Sequence, residues 1–206
     1  MKTLFVPISA NFSANLPNLG KVLEVLPKNL ALVYSIQYKN FAENLKKYLL
    51  KTHKILDFFQ ILGCSNPQFS EKADCILVIA DGRFHAISLA YETQKQVYLL
   101  ERDRLVKILP EEVAILEKKR KVAYLNFLNS EKVGILISTK PGQQRLEKSL
   151  NLKKELKSKK LYFFLSNEIN FKEIENFGLD FWINTACPRM DLDSSRIINI
   201  NRISEN

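Results

Sequence analysis

Apolar residues fall along the chain in short, near-continuous runs rather than in strict alternation with polar ones. The runs are Leu4 to Ile8, Leu30 to Ile36, Ile55 to Leu62, Ile76 to Ala80, Val97 to Leu100, Val133 to Ser138, Leu161 to Leu165 and Phe181 to Ile183. Such runs predict strands buried on both faces, as in parallel sheets covered by helices. Helical spacing between them predicts helices over Tyr38 to Leu50, Pro110 to Asn129 and Gly142 to Lys157. Pro110 suits the first turn of the second helix, and Glu111 and Glu112 suit the positive end of its dipole. The expected class is α/β, with repeated parallel-sheet domains and helices on both faces.

The pattern also repeats. Asp57-Phe58-Phe59-Gln60-Ile61-Leu62-Gly63-Cys64 and Asp180-Phe181-Trp182-Ile183-Asn184-Thr185-Ala186-Cys187 each set an Asp before two aromatics and end on a small residue followed by Cys. This echo predicts equivalent places for Cys64 and Cys187, just past buried strands, where α/β folds put their chemistry. A second echo pairs Leu32 to Gln37 with Ile135 to Lys140. Duplicated α/β units are the simplest account. The charged run Glu101-Arg102-Asp103-Arg104 suggests a boundary near residues 100 to 110, giving units 1–105 and 106–206.

Composition narrows the class. With 206 residues and 46% hydrophobic content the chain can build real cores, which excludes general disorder. Three widely spread cysteines argue against a disulfide framework and fit a reducing, cytoplasmic setting. No apolar run approaches the roughly 20 residues that span a bilayer, and Met1 to Pro7 is too short for a secretory segment. A soluble protein with no membrane partner is expected. Lys and Arg number 31 against 22 Asp and Glu, a net charge of +9 that would attract an acidic partner. The lysines, however, sit largely in helical stretches such as Glu43 to Tyr48 and Lys153 to Lys160, without interleaved aromatics. They read as solvated faces, and nucleic acid is not the expected partner.

Four segments have the makings of chemistry. Leu62-Gly63-Cys64-Ser65-Asn66-Pro67 and Thr185-Ala186-Cys187-Pro188-Arg189 each follow a predicted strand. Small residues before Cys let a ligand approach the backbone, and Pro stiffens the turn. Cys75 lies inside a predicted strand and reads as core. Zinc fits poorly, because no two ligands are closely spaced and only His53 and His85 are left to complete four. In Asp81-Gly82-Arg83-Phe84-His85, Gly82 permits a tight turn from which Arg83 and His85 can meet a carboxylate or phosphate; the same residues also suit a plain Asp-Gly turn that caps a helix. Ser138-Thr139-Lys140-Pro141-Gly142-Gln143 offers backbone amides to an anion but lacks the spacing of a nucleotide-hydrolysing loop.

In this order, Ile61 to Cys64, Ala80 to His85, Ser138 to Gln143 and Ala186 to Arg189, followed by Asp191 and Asp193, resemble the motifs of the diphthamide synthase family, the 2-(3-amino-3-carboxypropyl)histidine synthases. The resemblance runs from about Leu30 to Asp193. It implies similar α/β domains in a pseudo-threefold arrangement, each giving one Cys to a central four-iron four-sulfur (4Fe-4S) cluster. Cys64 and Cys187 match the second and third of those ligands, and the first has no counterpart. The chain would then hold two of the three domains, with Leu4 to Ile8 a remnant strand of the first.

The resemblance further implies that S-adenosylmethionine binds at the open iron and is cleaved reductively, yielding a 3-amino-3-carboxypropyl radical that adds to a histidine of elongation factor 2. Gly82, Arg83, His85, Thr139, Gly142, Gln143 and Arg189 become the candidate cofactor-binding residues, with Arg83 and Arg189 the bidentate partners for a carboxylate. The expected role is a shortened subunit, in a homodimer or with a longer family member. The alternatives are a non-catalytic partner that supports a full-length synthase and, from the charge alone, a basic nucleic-acid-binding protein.

Overall fold

The computed structural model describes residues 4, 6, 8, 16–62, 67–192 and 194–203. The chain forms two compact units, Met1–Ile115 and Leu116–Asn206.

In the first unit the elements run α1 (Leu16–Leu23), β1 (Asn29–Tyr34), α2 (Lys39–Leu49), β2 (Lys54–Gln60), β3 (Cys75–Ile79), α3 (Phe84–Thr93), β4 (Gln96–Glu101) and β5 (Arg104–Lys107). They build one sheet in the order β2-β1-β3-β4-β5, parallel except for β5. The central strands are apolar throughout because both their faces are covered. Leu30, Leu32 and Tyr34 of β1 pack with Leu19 and Leu23 of α1 and with Phe41, Leu45 and Leu49 of α2. Ala31 and Val33 point the other way, into a cluster with Ala86, Leu89 and Ala90 of α3. The charged run at 101–104 closes the β4–β5 hairpin, with Glu101 opposite Arg104 and Arg102 at a left-handed φ of 57°. Charge there marks a solvated turn inside this unit.

Helix α4 (Pro110–Asn129) starts in the first unit and continues into the second, since the division falls after Ile115. The second unit then follows with β6 (Lys132–Ser138), α5 (Leu146–Glu155), β7 (Lys160–Ser166), α6 (Phe171–Ile174), β8 (Phe181–Asn184) and β9 (Ile197–Asn199). Its sheet is wholly parallel, in the order β7-β6-β8-β9. Ala123 and Phe127 of α4 and Leu152 of α5 cover one face. Trp182 fills the other face against Leu179 and Ile174.

Strand order fixes the correspondence between the units: β1 with β6, β2 with β7, β3 with β8 and β4 with β9. A matching hydrogen bond confirms the register. Asp74, just before β3, accepts the Asn29 N–H through its carboxylate at 3.3 Å, and Asp180, just before β8, accepts the Lys132 N–H at 2.7 Å. Leu32 to Gln37 and Ile135 to Lys140 therefore are counterparts. The echo between the two cysteine segments is not. Asp57 to Gln60 belongs to the edge strand β2, whereas Phe181 to Asn184 is the inner strand β8, whose counterpart is β3. The similarity is local: Asp57 takes the Ser70 N–H at 3.0 Å, a loop contact with no parallel at Asp180. In register, the residue matching Cys187 is Asp81, six places after Cys75 as Cys187 is six after Phe181.

Of the expected remnant strand Leu4 to Ile8, residues 4, 6 and 8 are described, and all three are exposed. One further expectation changes. The helix expected from Gly142 begins instead at Leu146, because Gly142 takes a left-handed φ of 79° in a turn closed by Gln143 N–H donating to the Lys140 carbonyl at 3.0 Å.

Candidate functional site

Cys187 stands at the carboxyl end of β8 as an exposed free thiol. Two buried amides shape its turn. Asn184 accepts the Ala186 N–H at 2.9 Å through Oδ1 and donates through Nδ2 to the Cys187 carbonyl at 2.8 Å and to Asn199 Oδ1 at 2.6 Å. Asn199 donates in turn to the Pro188 carbonyl at 2.8 Å. Thr185 locks the same segment to β6, its hydroxyl donating to the Leu136 carbonyl at 2.8 Å. Arg189 is exposed on the short 3-10 turn Pro188–Leu192. Asp193 lies outside the described residues.

Thr139, Gly142 and Gln143 follow β6 on the same carboxyl edge of this sheet. Their turn has few amides to spare. The Thr139 N–H donates to the Ser166 carbonyl at 3.0 Å and the Lys140 N–H to the Ser138 hydroxyl at 3.1 Å. The Gln143 N–H is also engaged, with the Lys140 carbonyl, and residue 141 is a proline with no N–H to offer. An anion at this turn would be held through side chains more than through a helix N-terminus.

On the carboxyl edge of the first unit, Asp81 and Gly82 follow β3, and Gly82 takes a φ of 72° that an L side chain rarely adopts. Tyr38 donates its hydroxyl to Asp81 at 2.6 Å, and burial followed by this carboxylate pushes its phenol up to about 12. The Gly82 N–H donates to Glu101 at 2.8 Å. Arg83, the residue before α3, pairs with Glu112 at 2.6 Å while staying half-exposed. His85, in the first turn of α3, stacks at a tilt on Phe84, with ring centroids 5.1 Å apart. Arg83 thus already has a carboxylate partner, which an incoming carboxylate must displace or share.

Thiolate chemistry separates the cysteines. Cys75 is fully buried in β3, and burial, with Asp74 beside it, pushes its thiol up to about 12; it is a core residue. Cys64 lies outside the described residues. A cluster with thiolate ligands fits Cys187, a free thiol on a turn open to solvent, and does not fit the buried Cys75. No group of three or more metal-ligating side chains occurs among the described residues. None of the described helices is long and apolar enough to cross a membrane.

Asn184, Asn199 and Tyr38 carry parts of these turns that motif spacing does not reveal. A signal for the two asparagines does exist: each ends an apolar strand, where a buried polar side chain must find partners.

The comparisons with known proteins agree with this architecture. A family model for diphthamide synthesis proteins matches residues 1–197. The chain is 25% identical to a 2-(3-amino-3-carboxypropyl)histidine synthase of Pyrococcus horikoshii, over 93% of this chain and 60% of that protein. It is 30% identical to the enzyme of that name from Methanocaldococcus jannaschii, over 94% of this chain and 57% of that protein. The crystal structure of Dph2 from Pyrococcus horikoshii superposes with a TM-score of 0.81 at 22% identity, covering 96% of this chain and 63% of that one. The form of that protein with a 4Fe-4S cluster gives 0.77 at 23% identity, covering 92% and 60%. This chain spans less than two thirds of the length of each of these relatives. With the family model matched along nearly its whole length, the chain belongs to the diphthamide synthesis protein family.

Proposed function

We propose that this chain serves diphthamide biosynthesis in the cytoplasm as part of a 3-amino-3-carboxypropyl transferase. The observation that carries the reading is the exposed Cys187 thiol on a carboxyl-edge turn within a chain matched to the family from residue 1 to residue 197. Cys187 and Cys64 would hold the iron-sulfur cluster, with a further thiolate from outside these 206 residues. When bound, such a cluster would supply an electron for the reductive cleavage of S-adenosylmethionine. The protein's own residues bind and orient. Arg83 and Arg189 are the candidates for the methionine carboxylate, each able to form a two-pronged pair; Gly82 and Gly142 keep their turns open to ligand, and His85, Thr139 and Gln143 offer side-chain hydrogen bonds at the same sheet edges. The protein substrate would be elongation factor 2.

The test is anaerobic incubation of the chain with reductant, S-adenosylmethionine and elongation factor 2, with and without a longer family member, followed by mass analysis of the factor. Modification by the pair and negligible modification by the chain alone is the expected result. A second reading is a non-catalytic supporting subunit. It predicts that the pair loses no activity when Cys187 is replaced by Ala.

A further inference from the structure

One matched pair of core positions is apolar in the first unit and polar in the second. In the first, Val78 of β3 faces Leu99 of β4, and both are fully buried. In the second, the counterparts across β8 and β9 are Asn184 and Asn199, 1% and 7% exposed. Burying two primary amides where an apolar pair suffices costs free energy unless their donors and acceptors are paired. Here the pairing goes to one place. Asn184 Oδ1 takes the Ala186 N–H, its Nδ2 gives to the Cys187 carbonyl and to Asn199, and Asn199 gives to the Pro188 carbonyl. Three successive residues centred on the thiol have a backbone group tied to this pair. The matching turn of the first unit, which carries Asp81 in place of Cys187, has no such internal ties and is held from outside by Tyr38 and Glu101.

We infer that Asn184 and Asn199 are positioning residues for Cys187, fixing the direction in which its thiol leaves the sheet edge. The inference rests on the proposed reading that Cys187 ligates the cluster. Outer groups that orient a metal ligand are worth about 10- to 100-fold in metal affinity. A pair kept merely to fill the core would be replaceable by the Val and Leu of the first unit without consequence for the thiol.

The double variant N184V/N199L installs that apolar pair. Full-length wild type and variant are reconstituted anaerobically with ferrous iron and sulfide, and folding is checked by a cooperative thermal melt and the near-ultraviolet signal of Trp182. A nitroxide attached to Cys187 in a C64A background reports how firmly the turn is held without any cluster. The expected result is a folded variant that retains about 10-fold less iron or more, shows an altered electron paramagnetic resonance signal from the reduced cluster, and carries a faster-moving nitroxide. Unchanged iron retention, cluster signal and nitroxide lineshape in a folded variant overturn the inference. A wild-type chain that takes up no iron removes the cluster reading instead, and the nitroxide comparison then decides positioning alone. N199A, which removes the Pro188 tie at smaller cost in bulk, takes the same measurements should the double variant not melt cooperatively.

Discussion

The Asp180 carboxylate accepts the backbone N–H of Lys132 at 2.7 Å, tying the start of β8 to the start of β6, and takes the neighbouring Glu131 N–H at 3.0 Å as well. These two bonds hold its pKa below the ordinary carboxylate range. A carboxyl whose folded-state value is depressed contributes stability that is present above its unfolded value and is lost as pH falls through the folded one. The unfolded value is about 3.9, so thermal stability should begin to fall near that pH and continue downward. D180N, which keeps an acceptor but not the charge, should melt lower than wild type at neutral pH and show a shallower acid loss. Equal acid slopes in the two proteins would rule out this role.

Tyr38 gives the opposite limb. Its phenol is pushed up to about 12, first by burial and then by the Asp81 carboxylate. Its contribution is therefore intact below the unfolded value of about 10 and fades as pH rises from there through the folded one. Y38F removes the 2.6 Å bond to Asp81 and should cost about 1 kcal/mol at neutral pH. Alkaline melting curves of the two proteins should converge at high pH, and a difference that grows instead would contradict the assignment.

Gly134 lies opposite Trp182 in the β6–β8 register, and a Cβ there would run into the indole ring. G134A should destabilise the protein by about 1 to 3 kcal/mol through overpacking, with a change in Trp182 fluorescence. A neutral melt with an unchanged emission spectrum would show that the indole has room to move.

Cys75 should stay silent in the native state. Buried in β3 with its thiol pushed up to about 12, it should react with a maleimide only on unfolding, whereas Cys187 reacts at once. C75A should cost about 1 kcal/mol of packing and leave iron uptake intact. Prompt native labelling at Cys75, located by peptide mass, would place that residue outside the core.

The inner strands were legible in the chain because burial on both faces writes a continuous apolar run, as in Leu30 to Tyr34 and Val133 to Ile137. Their shared register was legible too, since Ser35 and Ser138 end equivalent strands. The Asp-aromatic-aromatic echo misled because a side chain's role depends on its neighbours across the sheet: Asp57 serves a loop and Asp180 a strand start. Charge at 101–104 recorded exposure, which a hairpin and a linker share. The thiol of Cys187 could be found by motif, but the two asparagines behind it are defined by pairing between β8 and β9, a relation that spacing along one chain does not carry. The same holds for Tyr38 and Asp81, which meet over 43 residues.

The central claim is that Cys64 and Cys187, and not Cys75, hold an iron-sulfur cluster in this chain or in its complex with a longer family member. Anaerobic iron and sulfide analysis of the wild type, C64A, C187A and C75A, each with and without that partner, tests it most directly. Iron and sulfide should accompany the wild type and C75A and be lost from the chain's own site in C64A and C187A. Equal retention in all four proteins, or no iron in the wild type under either condition, would contradict the account.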